Sequence, residues 1–231
     1  MPKAVTALVT GSTRGIGAAI AAALTRRGCR VVRHGAQARQ GALGADFLNA
    51  GAPEHLWEAA LDRAGGRIDV LVNNAGVYAA NPIEAPDIAW LEAWEDTLRV
   101  DLTAPAQLAR LAVRQWLEDG RGGCLVNIAA LDAHRGGSPD QWHFAAAKAG
   151  LLAMSKTIAA AYARQGVLAF AICPGRTGPA GGKAAQEEAA IPLGRGATPE
   201  EIGAVAAFCA LDAPGSMTGA VLDADGASYL R

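Results

Sequence analysis

Apolar residues along the 231-residue chain switch repeatedly between two spacings. Short apolar-rich runs at 5–9, 30–33, 45–48, 69–72, 124–128, 168–173 and 220–223 have the length of strands. The segments 18–27, 54–64, 88–119, 144–164 and 200–211 read as helices, with Leu56, Ala60 and Leu61 on one face of the second. Gly28 closes the first helix, Pro105 interrupts the third, and Thr198-Pro199-Glu200-Glu201 is a start signal for the last. The stretch 35–44 is short and glycine-bearing, so no full helix is expected there. Residues 77–86 and 129–143 read as loops, and 176–191 as irregular with a small helix at 183–190. Strands that alternate with helices demand a parallel sheet covered on both faces. The expectation is a single α/β domain over 1–231, a doubly wound Rossmann-type parallel sheet flanked by helices.

One turn carries chemistry. Thr10-Gly11-Ser12-Thr13-Arg14-Gly15-Ile16-Gly17 lies between the first strand and the first helix. Glycines there allow a tight turn and close approach of a phosphate group, and the helix start offers free N–H groups with partial positive charge. The spacing is Gly-x-x-x-Gly-x-Gly, not Gly-x-Gly-x-x-Gly, so its meaning depends on context.

Composition narrows the classes. Hydrophobic residues make up 51% and charged residues 19%, as in a folded domain. A net charge of −1 gives no reason to expect nucleic acid or an anionic membrane as partner. No apolar run approaches the ~20 residues that span a bilayer. Met1-Pro2-Lys3 leads straight into a strand, so no signal peptide is expected. Four cysteines without Cys-x-x-Cys spacing point to buried free thiols in a reducing compartment, the cytoplasm, and not to a metal site.

Further motifs follow in order: Asp46 after the third strand, Asn73-Asn74-Ala75-Gly76, Lys148, Pro174-Gly175, Pro192-Leu193-Gly194-Arg195 and Asp225-Gly226. Together with residues 10–17, this set resembles the short-chain dehydrogenase/reductase family over nearly the whole chain. The resemblance implies a nicotinamide dinucleotide across the carboxyl ends of the strands. Its contacts would come from Gly11, Ser12, Thr13, Arg14, Gly15, Ile16 and Gly17, from Arg33, His34, Asp46 and Phe47, and from Asn73, Ala75, Gly76, Lys148, Pro174, Gly175 and Thr177. An acidic residue ending the second strand would bind the ribose hydroxyls of NAD; here the place reads Arg33-His34-Gly35. Arg14 and the missing carboxylate favour NADP(H). The resemblance also implies a small-molecule substrate, a substrate lid at 178–191, and a homodimer or homotetramer formed through 97–119 and 144–164.

The catalytic positions depart from the family. Its Tyr-x-x-x-Lys motif puts phenol and ammonium on one helix face, where lysine lowers the phenol pKa. This chain reads Phe144-Ala145-Ala146-Ala147-Lys148. The family serine falls near Ala129-Ala130, and the family asparagine falls on Asp101. One reading is a reductase with another acid and a substrate needing less acid help: an imine, a conjugated alkene or an activated carbonyl. Asp132 is the first choice of donor, with His134, Tyr78 and His143 as alternatives. The other readings are a non-redox role and a silent binding module; a lysine on an alanine-rich helix at this place speaks against silence. Pro105 cannot bond the Asp101 carbonyl. A kink there would serve a water relay to Lys148, or the Asp101 carboxylate would pair with Lys148 directly. Phe144, Trp142, Tyr78, Trp90 and Trp94 would make an aromatic cleft, unless Trp90 and Trp94, four apart, form a helix–helix contact.

Overall fold

A computed structural model describes residues 4–177 and 189–230. Among them seven parallel strands form one sheet in the order β3-β2-β1-β4-β5-β6-β7. They are β1 (Thr6–Val9), β2 (Arg30–Gly35), β3 (Leu43–Gly44), β4 (Val70–Asn73), β5 (Gly123–Ile128), β6 (Val167–Pro174) and β7 (Val221–Ala224). The helices are α1 (Gly15–Arg26), α2 (Ala52–Ala64), α3 (Asp87–Leu98), α4 (Ala104–Glu118), α5 (Asp132–Arg135), α6 (Trp142–Tyr162) and α7 (Pro199–Leu211). No helix among the described residues is long and apolar enough to cross a membrane.

Alternation along the strands builds two cores. Leu8, Leu71 and Leu125 face α2, α4 and α6, where Trp57, Leu108 and Trp116 are buried. Ala7, Val9, Val72, Val126 and Phe170 face α1 and α7, where Ile20, Leu24 and Ile202 are buried. Both faces are covered, so these strands read as unbroken apolar runs. Strand order reverses between β1 and β4, and the carboxyl ends of those two strands open a crevice. All four cysteines are buried free thiols, as expected.

Several boundaries differ from expectation. The third strand occupies Leu43–Gly44, upstream of 45–48. The chain leaves the sheet after Gly44, whose missing side chain lets it pass the backbone of Gln37 and Ala38. An Asp46 turn follows, closed by the Leu48 N–H on Oδ1 at 3.0 Å. The interruption of the third helical region is a π-helical turn, Arg99–Thr103, one step before Pro105. Pro105 itself sits in the first turn of α4, where a missing N–H is harmless. Because its ring denies the Asp101 carbonyl an α-helical partner, the chain widens there instead of breaking. The loop expected at 129–143 contains the short α5, and α6 begins at Trp142, not Phe144. Most of the small helix expected at 183–190, with the lid at 178–191, falls outside the described residues.

The start signal at 198–201 forms a full capping box. The Glu201 N–H donates to Thr198 Oγ1 at 3.2 Å, and the Thr198 N–H donates to Glu201 Oε2 at 2.8 Å. Arg195 forks onto the same carboxylate at 2.7 and 2.9 Å and, with the Thr198 N–H, holds its pKa down to about 2. Thr198→Ala is expected to remove about 1 kcal/mol and lower the thermal midpoint by roughly 2–4 °C, as followed by circular dichroism.

Candidate active site

The crevice is built by two turns that touch. Thr10 Oγ1 accepts the N–H groups of Asn74 and Ala75 at 2.9 and 3.0 Å. The Asn74 amide returns to the carbonyls of Thr10 and Gly11 at 2.9 and 3.1 Å. A side chain on Gly17 would collide with the Gly11 carbonyl and the Asn74 amide. Gly11 and Gly15 take φ of 61° and 55°, conformations that a side chain disfavours. Helix α1 therefore starts close behind β1. Its first turn has no acidic residue, and its N-cap, Arg14, makes no side-chain cap. The opening N–H groups have no side-chain partner among the described residues, as an anion site requires.

Several expected binding residues form the support of this turn. Ser12 Oγ accepts the His34 N–H at 3.0 Å, and the Ser12 N–H donates to the His34 carbonyl at 2.8 Å. The Gly11 N–H donates to His34 Nδ1 at 3.2 Å, so Nε2 carries the proton toward the Ala45 carbonyl at 2.8 Å. The His34 ring, 2% exposed, stacks on buried Phe47 at 4.7 Å. Burial lowers its pKa, with the Ala45 carbonyl opposing. Asn73 is likewise buried, donating to Asn127 Oδ1 and the Pro105 carbonyl, while the Asn127 amide donates to Ser155. Ser12, His34, Phe47 and Asn73 thus bury their side chains beneath the crevice and support its turns. Asp46 is exposed and closes its own turn, and Arg33 lies near the β2 end with a buried Nε that has no hydrogen-bond partner among the described residues. Thr13 packs against Gly35, and Ala75 is held at Thr10.

The crevice opens into a cavity of about 930 Å³. Arg14, Ile16, Gly76, Asp132, Phe144, Lys148, Pro174, Gly175 and Thr177 line it. Asp101 stands behind this wall, fully buried. Its Oδ2 lies 3.2 Å from Lys148 Nζ, and its Oδ1 accepts the Val77 N–H at 2.8 Å. The ammonium also donates to the Ile128 carbonyl at 3.4 Å and lies 5.4 Å from the Phe144 ring centre. Burial pushes the Asp101 carboxyl up, against the opposing pull of Lys148 and Val77. The direct pair expected of Asp101 and Lys148 is formed. Gly76 makes room for it: a Cβ there would sit 3.1 Å from Asp101 Oδ2 and 3.2 Å from Lys148 Nζ.

Two of the four candidate donors, Asp132 and Tyr78, reach the cavity. Asp132 opens α5 on the cavity wall, and burial raises its pKa while Arg135 opposes. Tyr78 lines the opening, 65% exposed, edge-on to Phe144 at 4.8 Å. His134 instead meets Asp223 Oδ1 at 3.0 Å and stacks on Tyr229. His143 is buried away from the cavity lining, and burial lowers its pKa. Ala129 and Ala130 line the cavity without a hydroxyl. The tryptophans form a separate cluster: Trp90 and Trp94 stack on each other within α3, and Trp142 meets Trp90 edge-on.

Residues 11–227 match the model of the enoyl-(acyl carrier protein) reductase family. The chain belongs to the short-chain dehydrogenase/reductase family. Among its relatives in this family is a D-threitol dehydrogenase of Mycolicibacterium smegmatis, 35% identical over 97% of this chain and 93% of the relative. The 3-oxoacyl-[acyl-carrier-protein] reductase FabG of Vibrio cholerae is 34% identical over 97% of both chains. An acetoacetyl-CoA reductase of Rhizobium meliloti is 31% identical over 96% of this chain and 98% of its own. Within this short-chain reductase fold, Thr10 and Asn74 are the supports that sequence reasoning left out of the site. Asn74 stood inside a motif already noted, but its partners were visible only in three dimensions.

His34 links the turn to pH. Its folded pKa lies below the ordinary 6.5, so the unfolded chain takes up this proton first as pH falls. Its stabilising share is complete above pH 6.5 and shrinks as pH drops toward the folded value. The stability difference between wild type and His34→Gln is therefore expected to widen with rising pH until about 6.5 and then level off. Urea midpoints at pH 5 to 7.5 measure it, and a difference that narrows over this window would contradict the assignment.

Proposed function

We propose that the protein is an NADP(H)-dependent oxidoreductase that reduces an imine, a conjugated alkene or an activated carbonyl, with Asp132 as proton donor. The observation that carries this reading is one cavity lined by both the Lys148 ammonium and a half-buried carboxyl with raised pKa, together with two alanines and a phenyl ring at the family's hydroxyl positions. The relatives named as reductases and dehydrogenases support the reaction class.

The residues present fit the cofactor. The N–H groups opening α1 and the close glycine turn suit a pyrophosphate. Arg14 on the cavity wall and the half-buried Arg33 in β2 suit a ribose phosphate, and β2 ends without a carboxylate. The bound cofactor supplies the hydride. Lys148, fixed by Asp101, orients the ribose. Phe144 and Tyr78 cover the reacting face and exclude water. Asp132 keeps its proton further up the pH scale than an exposed carboxyl and delivers it to the reduced substrate. A homodimer or homotetramer through α4 and α6, acting in the cytoplasm on a small-molecule substrate, completes the proposal.

A second reading, a non-redox or silent NADP-binding protein, is favoured by the direct pair that engages Lys148. Two measurements separate the readings. Titration followed by nicotinamide fluorescence is expected to give tighter binding of NADPH than of NADH, with Arg33→Ala weakening NADPH about tenfold and leaving NADH unchanged. Turnover of imine, enone and ketone panels, read at the nicotinamide absorbance, is expected to fall about 10²–10⁴-fold in Asp132→Asn and to persist in His134→Ala. In the wild type, the rate is expected to decline as pH rises through the raised Asp132 pKa. Full activity in Asp132→Asn would remove the assignment; tight NADPH binding without turnover on any panel would favour the second reading.

A further inference from the structure

Outside the main cavity, the start of α3 and the start of α6 enclose a smaller pocket of about 380 Å³. Ile83, Ala85, Asp87, Trp90 and Trp142 line it, and none of them lines the main cavity. The indoles of Trp90 and Trp142 meet at 76° with centres 6.3 Å apart, so they form two adjoining walls. Trp94 backs the first wall, stacked on Trp90 at 5.4 Å and 20°. Trp142 is 54% exposed and Ile83 67%, a large apolar investment at a surface.

The walls are pinned from behind by buried amides. Asn81 donates its side-chain N–H to the Trp90 carbonyl at 3.0 Å, and its backbone N–H to the Asp140 carbonyl at 2.9 Å. Gln141, the residue before Trp142, donates to the Ala79 carbonyl at 3.0 Å. Loop 77–86 is therefore tied to the backbone at the start of both helices.

Charge selects the occupant. Asp87 is exposed on the pocket lining and makes no ion pair or hydrogen bond among the described residues. Around it, residues 84–96 hold Glu84, Glu92, Glu95 and Asp96 as well, with no lysine or arginine. An anion is repelled here, and a neutral apolar group gains nothing from the carboxylate. Indole faces attract a desolvated cation, above all an alkylated ammonium whose methyl groups also bury apolar surface. We infer that this pocket binds a small organic ammonium ion, with Trp90 and Trp142 as walls and Asp87 as counter-ion. The site is independent of the reduction chemistry proposed above and is tested without it.

The probe is choline, compared at constant ionic strength with 3,3-dimethylbutan-1-ol, in which carbon replaces the charged nitrogen. Tryptophan fluorescence follows binding, since Trp57 and Trp116 are buried elsewhere and stay silent. Saturable quenching is expected, with choline at least about tenfold tighter than the neutral isostere. Asp87→Asn should weaken choline several-fold and leave the isostere unchanged. Trp142→Leu should abolish the response, and Trp142→Phe should restore part of it. Circular dichroism checks folding; if Trp142→Leu unfolds, the Phe and Asn variants carry the test. Equal binding of both probes, or no saturation by choline below about 50 mM, overturns the inference. So does sedimentation showing self-association that Trp142→Leu disrupts and choline leaves untouched, which would make the pocket a contact between copies.

Discussion

The close approach of two loops at the carboxyl ends of β1 and β4 governs the rest of the molecule. A single hydroxyl, Thr10 Oγ1, receives two N–H groups from the neighbouring strand's turn, and the Asn74 amide answers with two bonds back. These bonds are possible only because Gly11 and Gly17 carry no side chain in the gap. The approach sets the tilt at which α1 leaves the sheet, and so the direction of its unsatisfied N–H groups. It also sets the height of Gly76, and with it the space through which Lys148 and Asp101 meet. The glycine turn at the start of α1 and the Lys148–Asp101 end of the crevice are thus two consequences of one packing constraint.

Support for that constraint comes from groups that would be costly to bury alone. Each buried donor or acceptor without a partner costs about 1–3 kcal/mol. His34 illustrates the solution: neutral, with one nitrogen accepting from Gly11 and the other donating to Ala45, it satisfies both loops with one ring. Asn73, Asn127 and Ser155 do the same below the sheet, linking β4, β5 and α6 through side-chain bonds. Such a network is specific because a lost member strands its neighbours.

Much of this architecture was legible before any coordinates. Repeated alternation of short apolar runs with helices gave the parallel sheet, and the glycine turn, Gly76, Lys148 and Asp132 fall on the cavity as their order implied. What escaped is what depends on distant partners. Nothing local distinguishes His34 as a buried bracket from His34 as an exposed strand end, because Gly11 and Ala45 lie away from it in sequence. Pro105 correctly signalled a disturbance, but widening of the preceding turn is a response of the packed helix. The third strand slipped upstream because Phe47 stacks on His34 in place of continuing the edge. Asp132-Ala133-His134-Arg135 formed a helical turn where only a loop was evident.

Asp101 and Phe144 are best understood together. A lysine buried to 5% exposure requires a compensating group, because an isolated buried charge is strongly destabilising. In this chain the compensation is a carboxylate on the side away from the cavity, and the cavity side of the ammonium meets a phenyl ring. The pair is electrically closed, with the Val77 N–H and Ile128 carbonyl as its remaining partners. A hydroxyl placed at 144 would therefore meet an ammonium already engaged by the buried Asp101 carboxylate at 3.2 Å. Lowering a phenol pKa by a neighbouring cation needs that cation's charge to be uncompensated. The Asp101–Lys148 pair thus leaves little uncompensated charge to shift the pKa of a group beside it at 144.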